Sequence, residues 1–230
     1  DGVVGLDEPV HRYIPSWRSM GVYRGGASTL GAPGVSGSRY ITSPLQRPMR
    51  IVDLLRHTSG LTYGMQNRTL VDAAYRNLGI AETRGSGTLR SMVDTLSELP
   101  LEFSPGEAWN YSVSTDVLGY LIEQIADVPL PDFLQNRVFG PLGMVDTGFY
   151  VPQDSVSRLT ACYAGGGRNT MLLQDDPLES DFRKPPSFYS GGSGLVSTAS
   201  DYMKFCRALL NGGMLEGQRL ISPQTLALMT

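Results

Sequence analysis

Residues 109–123 read Trp-Asn-Tyr-Ser-Val-Ser-Thr-Asp-Val-Leu-Gly-Tyr-Leu-Ile-Glu. From Val113 onward, apolar residues stand at positions 113, 117, 118, 121, 122 and 125, which is the spacing of one buried helix face. Asn110 or Ser112 is expected to cap this helix, because either side-chain oxygen can accept a hydrogen bond from a free backbone N–H. The pattern therefore places Tyr111 at the mouth of a well-anchored helix.

The spacing alone leaves the role of Tyr111 open. A phenol at a helix mouth can take part in proton transfer, or it can be an aromatic residue that packs on the first turn. Without further information the packing role is the commoner one, so the other motifs of the chain have to decide.

Four stretches together resemble one enzyme family. Tyr111-Ser112-Val113, followed by an amphipathic helix, resembles the second motif of the serine hydrolases related to class C β-lactamases. It is closer to the family VIII carboxylesterases than to true lactamases, which usually carry Asn in the third position. The other three stretches fit the same superfamily in the expected order: Asp53–Leu61, Phe139–Phe149 and Gly191–Thr198.

The resemblance implies an α/β fold of the β-lactamase/transpeptidase type, in which an antiparallel sheet is flanked by helices and joined to a mostly helical subdomain. Residues 1–230 are expected to be an internal portion of one such domain and to form mainly its helical part. Residues 50–190 would belong to the helical subdomain, and residues 191–230 would return to the α/β subdomain. Ser222-Pro223 opens a helix with no stop signal before Thr230, which also predicts a longer chain.

The family acylates the serine of a Ser-x-x-Lys motif, whose spacing puts hydroxyl and amine on one helix face. The two lysines, Lys184 and Lys204, are preceded three positions earlier by Asp181 and Asp201, so the motif does not occur in this sequence. The third family motif, Lys-Thr-Gly or a Trp/His-Gly-Gly variant, is also absent. The nucleophile and its lysine are therefore expected upstream of Asp1.

The resemblance assigns a catalytic role to Tyr111, as general base or proton shuttle. A free phenol titrates near pH ~10, so such a residue needs a nearby cation to act as a base at neutral pH. Val113 takes the place of the lactamase Asn, which weakens a β-lactamase function and favours less polar acyl groups. The residues expected to contact substrate are Ser112, Val113, Tyr189, Ser190 and Gly191.

The stretch from Phe188 to Gly192 has two interpretations of equal weight. Its glycines allow close approach of the backbone to a substrate, and Tyr189 can form a wall of the pocket. The alternative is a plain tight turn before a strand.

Two other kinds of site are disfavoured. His57 lies near serines, but the sequence has no Gly-x-Ser-x-Gly motif, and the family uses this histidine structurally at a helix end. The histidines and cysteines, at positions 11, 57, 162 and 206, lack metal-ligand spacing. The sequence therefore predicts no metal site, and the resemblance implies that neither a metal nor an organic cofactor is needed.

Composition narrows the functional class. With 230 residues, 41% hydrophobic and 18% charged, the chain has the make-up of an ordinary folded protein. A net charge of −3 without any basic run argues against binding nucleic acid, and no apolar stretch is long enough to span a membrane. Two cysteines do not make a disulfide framework. A cytoplasmic location is expected, and the oligomeric state stays open.

Periodicity predicts the remaining elements. Helices are expected near Pro9–Ile14, Ile51–Arg56, Val71–Leu78, Thr88–Leu99 and Pro131–Val138, and strands around Arg39–Thr42, Leu159–Tyr163 and Gly194–Ser197. Residues 168–187 read as a solvent-exposed connection. Thr198 and Asp201 predict the start of a further helix, which is expected to bury Tyr202, Phe205, Cys206, Leu209 and Leu210.

The sequence thus predicts a serine hydrolase, a carboxylesterase that cleaves a small-molecule ester or amide through an acyl-enzyme. A β-lactamase, a D-amino-acid peptidase or an acyltransferase on the same fold are alternatives, because the fold does not separate these chemistries. A relative that binds or assembles without catalysis is the alternative of another class. A Ser-x-x-Lys motif immediately upstream of Asp1 would exclude that last alternative.

Overall fold

A computed structural model describes residues 2–26, 40–81, 87–167 and 169–230. Its helices and strands are, in chain order, β1 Val22–Gly25, β2 Ile41–Ser43, α1 Ile51–Leu55, α2 Leu70–Asn77, α3 Leu89–Ser97, α4 Ser114–Ala126, α5 Leu130–Leu134, β3 Cys162–Gly165, β4 Met171–Asp175, α6 Ala199–Leu210, β5 Met214–Leu215, β6 Gln218–Arg219 and α7 Pro223–Met229. Short 3₁₀ turns cover Val10–Arg12, Pro15–Ser19, Gly64–Gln66, Gln153–Arg158 and Asp181–Arg183, and a π-helical turn covers Gln135–Phe139.

The chain forms two compact units. The first comprises Asp1–Leu130 together with Phe188–Ser193, and the second comprises Pro131–Ser187 together with Gly194–Thr230. The strands pair in sequence as three two-stranded antiparallel sheets, β1 with β2, β3 with β4 and β5 with β6. The predicted division into subdomains at residues 50, 190 and 191 stays a prediction.

The core of the first unit lies where α4 packs against α1 and α3. Helix α3 forms as its sequence predicts: the Thr88 hydroxyl accepts a hydrogen bond from the Ser91 amide at 3.1 Å. The apolar stripe of α3, with Val93 and Leu96 at its centre, is buried. This local agreement arises because a cap and a helical stripe need only residues that are close in sequence.

The predicted cap of α4 is wrong. Val113 occupies the N-cap position, and no side chain caps the helix there. Asn110 Oδ1 instead accepts from Gln66 Nε2 at 3.1 Å, and Ser112 Oγ lies 3.3 Å from His57 Nδ1. Partners from distant parts of the chain have taken the side-chain oxygens that a local cap requires.

The second unit holds the hairpin of β3 and β4, in which Tyr163 stands opposite Leu173. The predicted connection at residues 168–187 therefore misses strand β4, although the side chains of that strand are largely exposed. The predicted strand at Gly194–Ser197 is reduced to a single bridge, in which the Val196 amide donates to the Gly148 carbonyl oxygen at 2.8 Å.

Helix α6 begins as predicted but packs differently. The Thr198 hydroxyl accepts from the Asp201 amide at 3.2 Å. The predicted buried face is confirmed only in part. Phe205 packs against the core, and Cys206 and Leu209 are partly buried, whereas Tyr202 is 61% exposed and Leu210 is 86% exposed. The apolar residue that this helix buries completely is Ala208. Ala208 belongs to a small core with Phe139, Leu142, Met144 and Leu215.

The remaining elements agree in part with the sequence prediction. The helix near Pro9–Ile14 is a 3₁₀ turn at Val10–Arg12, and the helix at Pro131–Val138 appears as α5 followed by the π-helical turn. Strand β2 overlaps the predicted strand, whose first residue, Arg39, lies outside the described residues. Of the helices that the structure describes, none is both long enough and apolar enough to cross a bilayer.

Candidate active site

Tyr111 ends the loop that leads into α4. Its side chain is 45% exposed. Its ring centroid lies 5.0 Å from that of His57 and 5.1 Å from that of Tyr63, and both pairs are tilted. Gln66 donates from Nε2 to the Tyr111 carbonyl oxygen at 2.6 Å. The phenol is thus accessible while its ring and main chain are held by neighbours.

A cleft of about 420 Å³ opens beside this ring. Its walls combine aromatic, apolar and small residues with one cation: Tyr63, Gly64, Met65, Tyr75, Arg76, Ile80, Ala81, Tyr111, Gly192 and Ser193. Arg76 is already engaged, because its guanidinium donates to the Gly64 carbonyl oxygen and lies 2.7 Å from the buried carboxylate of Asp72. The cleft therefore suits a largely uncharged group.

Asn110 anchors the chain directly before Tyr111. Its buried amide donates to the Leu61 carbonyl oxygen and, at 2.9 Å, to Glu102 Oε2. Its Oδ1 accepts from Gln66 Nε2 at 3.1 Å and from the Arg68 guanidinium. A side chain with this many partners fixes the approach of the loop to the helix.

Asp116, in the first turn of α4, is a second organising group. Its carboxylate is 1% exposed and accepts hydrogen bonds from the Ser190 hydroxyl, from the Gly192 amide at 3.3 Å and from the Tyr63 hydroxyl at 3.3 Å. Burial raises the pKa of Asp116, and these hydrogen bonds oppose that shift only in part. The carboxylate joins the segment Phe188–Ser193 and Tyr63 to the helix that follows Tyr111.

The pKa of Tyr63 is shifted by the same buried surroundings. Burial raises the pKa of the Tyr63 phenol far above its ordinary value, and the negative charge of the Asp116 carboxylate adds to this shift as the second largest cause. Tyr63 is therefore a neutral hydrogen-bond donor on the cleft wall. Ionisable side chains with shifted pKa values that line or border a cleft are typical of functional sites.

The glycines of the segment 188–193 lie against α4. A Cβ atom on Gly191 would collide with the Thr115 carbonyl oxygen, and one on Gly192 would come within 2.6 Å of Thr115 Oγ1. Only glycine allows this approach, so the absence of a side chain at Gly191 and Gly192 serves the packing of the segment on the helix.

The predicted site residues differ in their exposure and in their position relative to the cleft. Tyr111 lines the cleft, whereas Ser112 and Val113 are fully buried at 0% exposure and are not among its lining residues. Ser190 is buried and turned to Asp116, and Tyr189 is partly buried. Contact of Ser112, Val113, Tyr189, Ser190 and Gly191 with substrate stays a prediction.

Sequence reasoning missed Tyr63, Asp116 and Ser193. Tyr63 follows the His57 motif closely, at the end of Gly60-Leu61-Thr62-Tyr63. Asp116 is the only charged residue in the first two turns of α4, where most of its neighbours are small or apolar. A charge in that setting is a usable signal, because a buried carboxylate needs several partners.

His57 contacts a serine but forms no nucleophile–base pair with it. Its Nδ1 lies 3.3 Å from Ser112 Oγ, and Ser112 is fully buried, so this hydroxyl cannot attack a substrate in the cleft. Burial lowers the pKa of His57. Within the described residues, no three His, Cys, Asp or Glu side chains are arranged to hold a metal ion.

Comparison with known proteins identifies the family of the chain. The family model described as Beta-lactamase matches residues 1–230. Protein Rv1367c from Mycobacterium tuberculosis is 36% identical over 229 residues, which cover 100% of this chain and 53% of that protein. Lovastatin esterase from Penicillium rubens is 30% identical over 232 residues, covering 94% of this chain and 51% of that protein.

Among solved structures, simvastatin synthase (LovD) from Aspergillus terreus superposes with a TM-score of 0.74 at 27% identity, over 99% of this chain and 52% of that chain. The chain thus spans about half the length of the curated relatives it matches. The predicted β-lactamase/transpeptidase-like fold, with this chain forming a helix-rich part of it, is confirmed. On its sequence and its fold, the chain belongs to the β-lactamase family.

Proposed function

We propose that the full-length protein hydrolyses small-molecule carboxylic esters through an acyl-enzyme, with Tyr111 as general base and proton shuttle. The acylated serine would lie upstream of Asp1. The observation that carries the proposal is the half-exposed Tyr111 ring on the cleft, within 5.0 Å of His57 and 5.1 Å of Tyr63.

Fixed geometry is what a proton-transfer residue needs, because transfer requires hydrogen-bonding distance to the reacting groups. The Asn110 network holds the chain on one side of Tyr111, and the buried start of α4 holds it on the other. A tyrosine with only a packing role would not need to be 45% exposed beside a cleft.

In the proposed reaction the serine oxygen attacks the ester carbonyl while Tyr111 takes the serine proton. The same proton then passes to the oxygen of the leaving alcohol, and the carbon–oxygen bond of the ester breaks. Water next attacks the acyl-enzyme, again with proton transfer through Tyr111, and releases the carboxylic acid and free serine.

An ester substrate is favoured over a β-lactam by two features. Val113 stands where the lactamases offer an amide side chain, and the cleft wall carries apolar Met65 and Ile80. Similarity to a protein named lovastatin esterase supports the same choice. The assignment to family VIII and a cytoplasmic location stay predictions.

The test is Tyr111→Phe in the full-length protein, assayed with p-nitrophenyl butyrate. We expect kcat to fall by about 10²–10⁴-fold, the usual contribution of a general acid–base residue. Tyr163→Phe is the matched control, since Tyr163 is 52% exposed on β3 and does not line the cleft. Loss of less than threefold in Tyr111→Phe would exclude the proposed role.

A second measurement locates the nucleophile. A fluorophosphonate should form one covalent adduct per molecule, and peptide mapping should place it on a serine outside residues 1–230. An adduct on a serine within these residues contradicts the proposal. Turnover of nitrocefin or of a D-alanyl dipeptide at a kcat/KM above that of the ester would favour a β-lactamase or a peptidase instead.

A further inference from the structure

His57 contacts the chain on both sides of Tyr111. Its carbonyl oxygen accepts from the Asn110 amide at 2.8 Å, and its Nδ1 accepts from the Ser112 amide at 3.3 Å. Its ring also lies 5.0 Å from the Tyr111 ring. One residue thus binds the main chain before and after Tyr111 and packs on its side chain.

The backbone of His57 is unusual in a way that fits this task. Its φ of 55° lies in the left-handed region, which among residues with a side chain is adopted mainly by Asn, Asp and His. The residue follows the last turn of α1, so its main-chain carbonyl and its imidazole both reach the segment 110–112.

The hydrogen bond from Ser112 defines the tautomer of the ring. Because a backbone amide can only donate, Nδ1 must carry a lone pair, and the proton of the neutral ring lies on Nε2. Ser112 Oγ, also 3.3 Å from Nδ1, then donates to the same atom.

A chain of buried hydroxyl groups follows from that assignment. Ser112 Oγ accepts from Ser114 Oγ at 2.8 Å, and Ser114 Oγ accepts from Ser59 Oγ at 2.8 Å. Ser59 Oγ in turn accepts from the Leu61 amide at 3.2 Å. Every hydroxyl donates once and accepts once, so all hydrogen bonds of the chain point toward Nδ1 of His57.

We propose that neutral His57 is the positioning residue of Tyr111, with Nδ1 as the terminal acceptor that fixes the Ser112 main chain and the buried serine chain. The inference rests on the proposed function of Tyr111, which His57 would orient toward the cleft. His57 itself touches no reacting atom in this role.

The buried surroundings agree with a neutral ring. A proton on Nδ1 would face the Ser112 amide, leave that amide without its acceptor and reverse the hydrogen bonds of three serines that are all 0% exposed. Burial of the imidazole lowers the pKa of His57, which keeps the ring neutral at neutral pH.

Two substitutions of His57 test the importance of its hydrogen-bond acceptor. Both introduce residues that tolerate a left-handed backbone. In His57→Asn, Oδ1 stands as many bonds from Cα as Nδ1 does and can accept from Ser112. His57→Gly removes the acceptor and the ring without straining the backbone. The readouts are hydrogen exchange of the Ser112 amide by NMR, and kcat and KM for p-nitrophenyl butyrate, in the full-length protein.

For His57→Gly we expect at least tenfold faster exchange of the Ser112 amide and a fall in kcat of about 10–100-fold, the scale of a misplaced catalytic group. KM should change by less than about twofold, because the cleft walls stay in place. His57→Asn should keep the exchange rate and kcat within about threefold of wild type.

Unchanged exchange of the Ser112 amide in His57→Gly would overturn the proposal, and so would an Asn variant as impaired as the Gly variant. If Tyr111→Phe leaves kcat unchanged, the proposed function fails, while the exchange data still decide whether His57 holds Ser112. Should His57→Gly not fold, ¹⁵N NMR of the wild-type ring decides: a proton on Nδ1 contradicts the assignment.

Discussion

Helices α4 and α6 begin alike and end in different surroundings. Each carries an aspartate at its third residue, Asp116 in α4 and Asp201 in α6, and both side chains are buried. The apolar face of α4 is covered, with Leu121 only 2% exposed, whereas Leu210 at the end of α6 is 86% exposed. The comparison shows that an amphipathic pattern tells which residues share a face but not what covers it.

The two aspartates differ in their partners. Asp201 is ion-paired with Lys204 at 2.9 Å and accepts from the Asp146 amide at 2.7 Å. Asp116 accepts from the uncharged Ser190, Gly192 and Tyr63, and no salt bridge to it occurs among the residues that the structure describes. A cation therefore balances the charge of Asp201, whereas Asp116, which has only neutral donors beside a cleft, is a candidate functional group as well as an organising one.

The largest expected difference concerns the apolar faces. Leu121→Ala should lower the free energy of unfolding by about 2–5 kcal/mol, because it opens a cavity in a packed core. Leu210→Ala should change it by less than about 0.5 kcal/mol, as for other exposed positions. Urea unfolding of both variants checks this, and a cost above about 1.5 kcal/mol at Leu210 would show that this face is covered in the full-length protein.

The aspartates should respond differently to the same substitution. In Asp201→Asn, an amide donor would face the Lys204 ammonium or the Asp146 amide, and we expect a loss of about 1–3 kcal/mol in the free energy of unfolding. In Asp116→Asn, Oδ1 still accepts from Ser190 and Gly192, and the amide can donate to the Tyr63 hydroxyl, so the loss should stay below about 1 kcal/mol. Equal losses would contradict the distinction between the two carboxylates.

The smallest expected effect is the pH dependence at Asp116. Burial raises the pKa of Asp116 above its ordinary value of 3.8, so the folded state holds the proton that the unfolded state releases between these two values. Stability contributed by this group therefore falls as pH rises through that window, with a slope of at most about 1.4 kcal/mol per pH unit. Asp116→Asn lacks this titration.

Urea unfolding of wild type and Asp116→Asn from pH 3.5 upward isolates the effect. The stability of the variant relative to wild type should increase with pH across the window and then level off. A relative stability that decreases over the same range would mean that the fold favours the ionised carboxylate of Asp116, which contradicts the prediction.

Much of the local structure follows from the sequence. The caps at Thr88 and Thr198 and the buried stripe of α3 form as predicted, because their atoms lie within a few residues of one another. The family motif pointed to Tyr111, and the structure puts that residue on the cleft. The proton-transfer role of Tyr111 stays a proposal.

Other features could not be predicted locally. Asn110 and Ser112 have the chemistry of caps, yet their partners Leu61 and His57 lie 49 and 55 positions away. The Asp116–Ser190 hydrogen bond joins residues 74 positions apart. Strand β4 has no buried face whose alternation would have revealed it.

By itself the sequence determined where α3 and α6 begin, which residues share a helix face, and which family motif contains Tyr111. Only the tertiary structure decided which apolar face is covered, which aspartate meets a cation, and that His57 contacts the chain on both sides of Tyr111. The physical reason is the distance along the sequence over which each kind of interaction acts. Caps and periodicity depend on backbone geometry over three or four residues, whereas burial and the choice of hydrogen-bond partner depend on groups that only folding brings together.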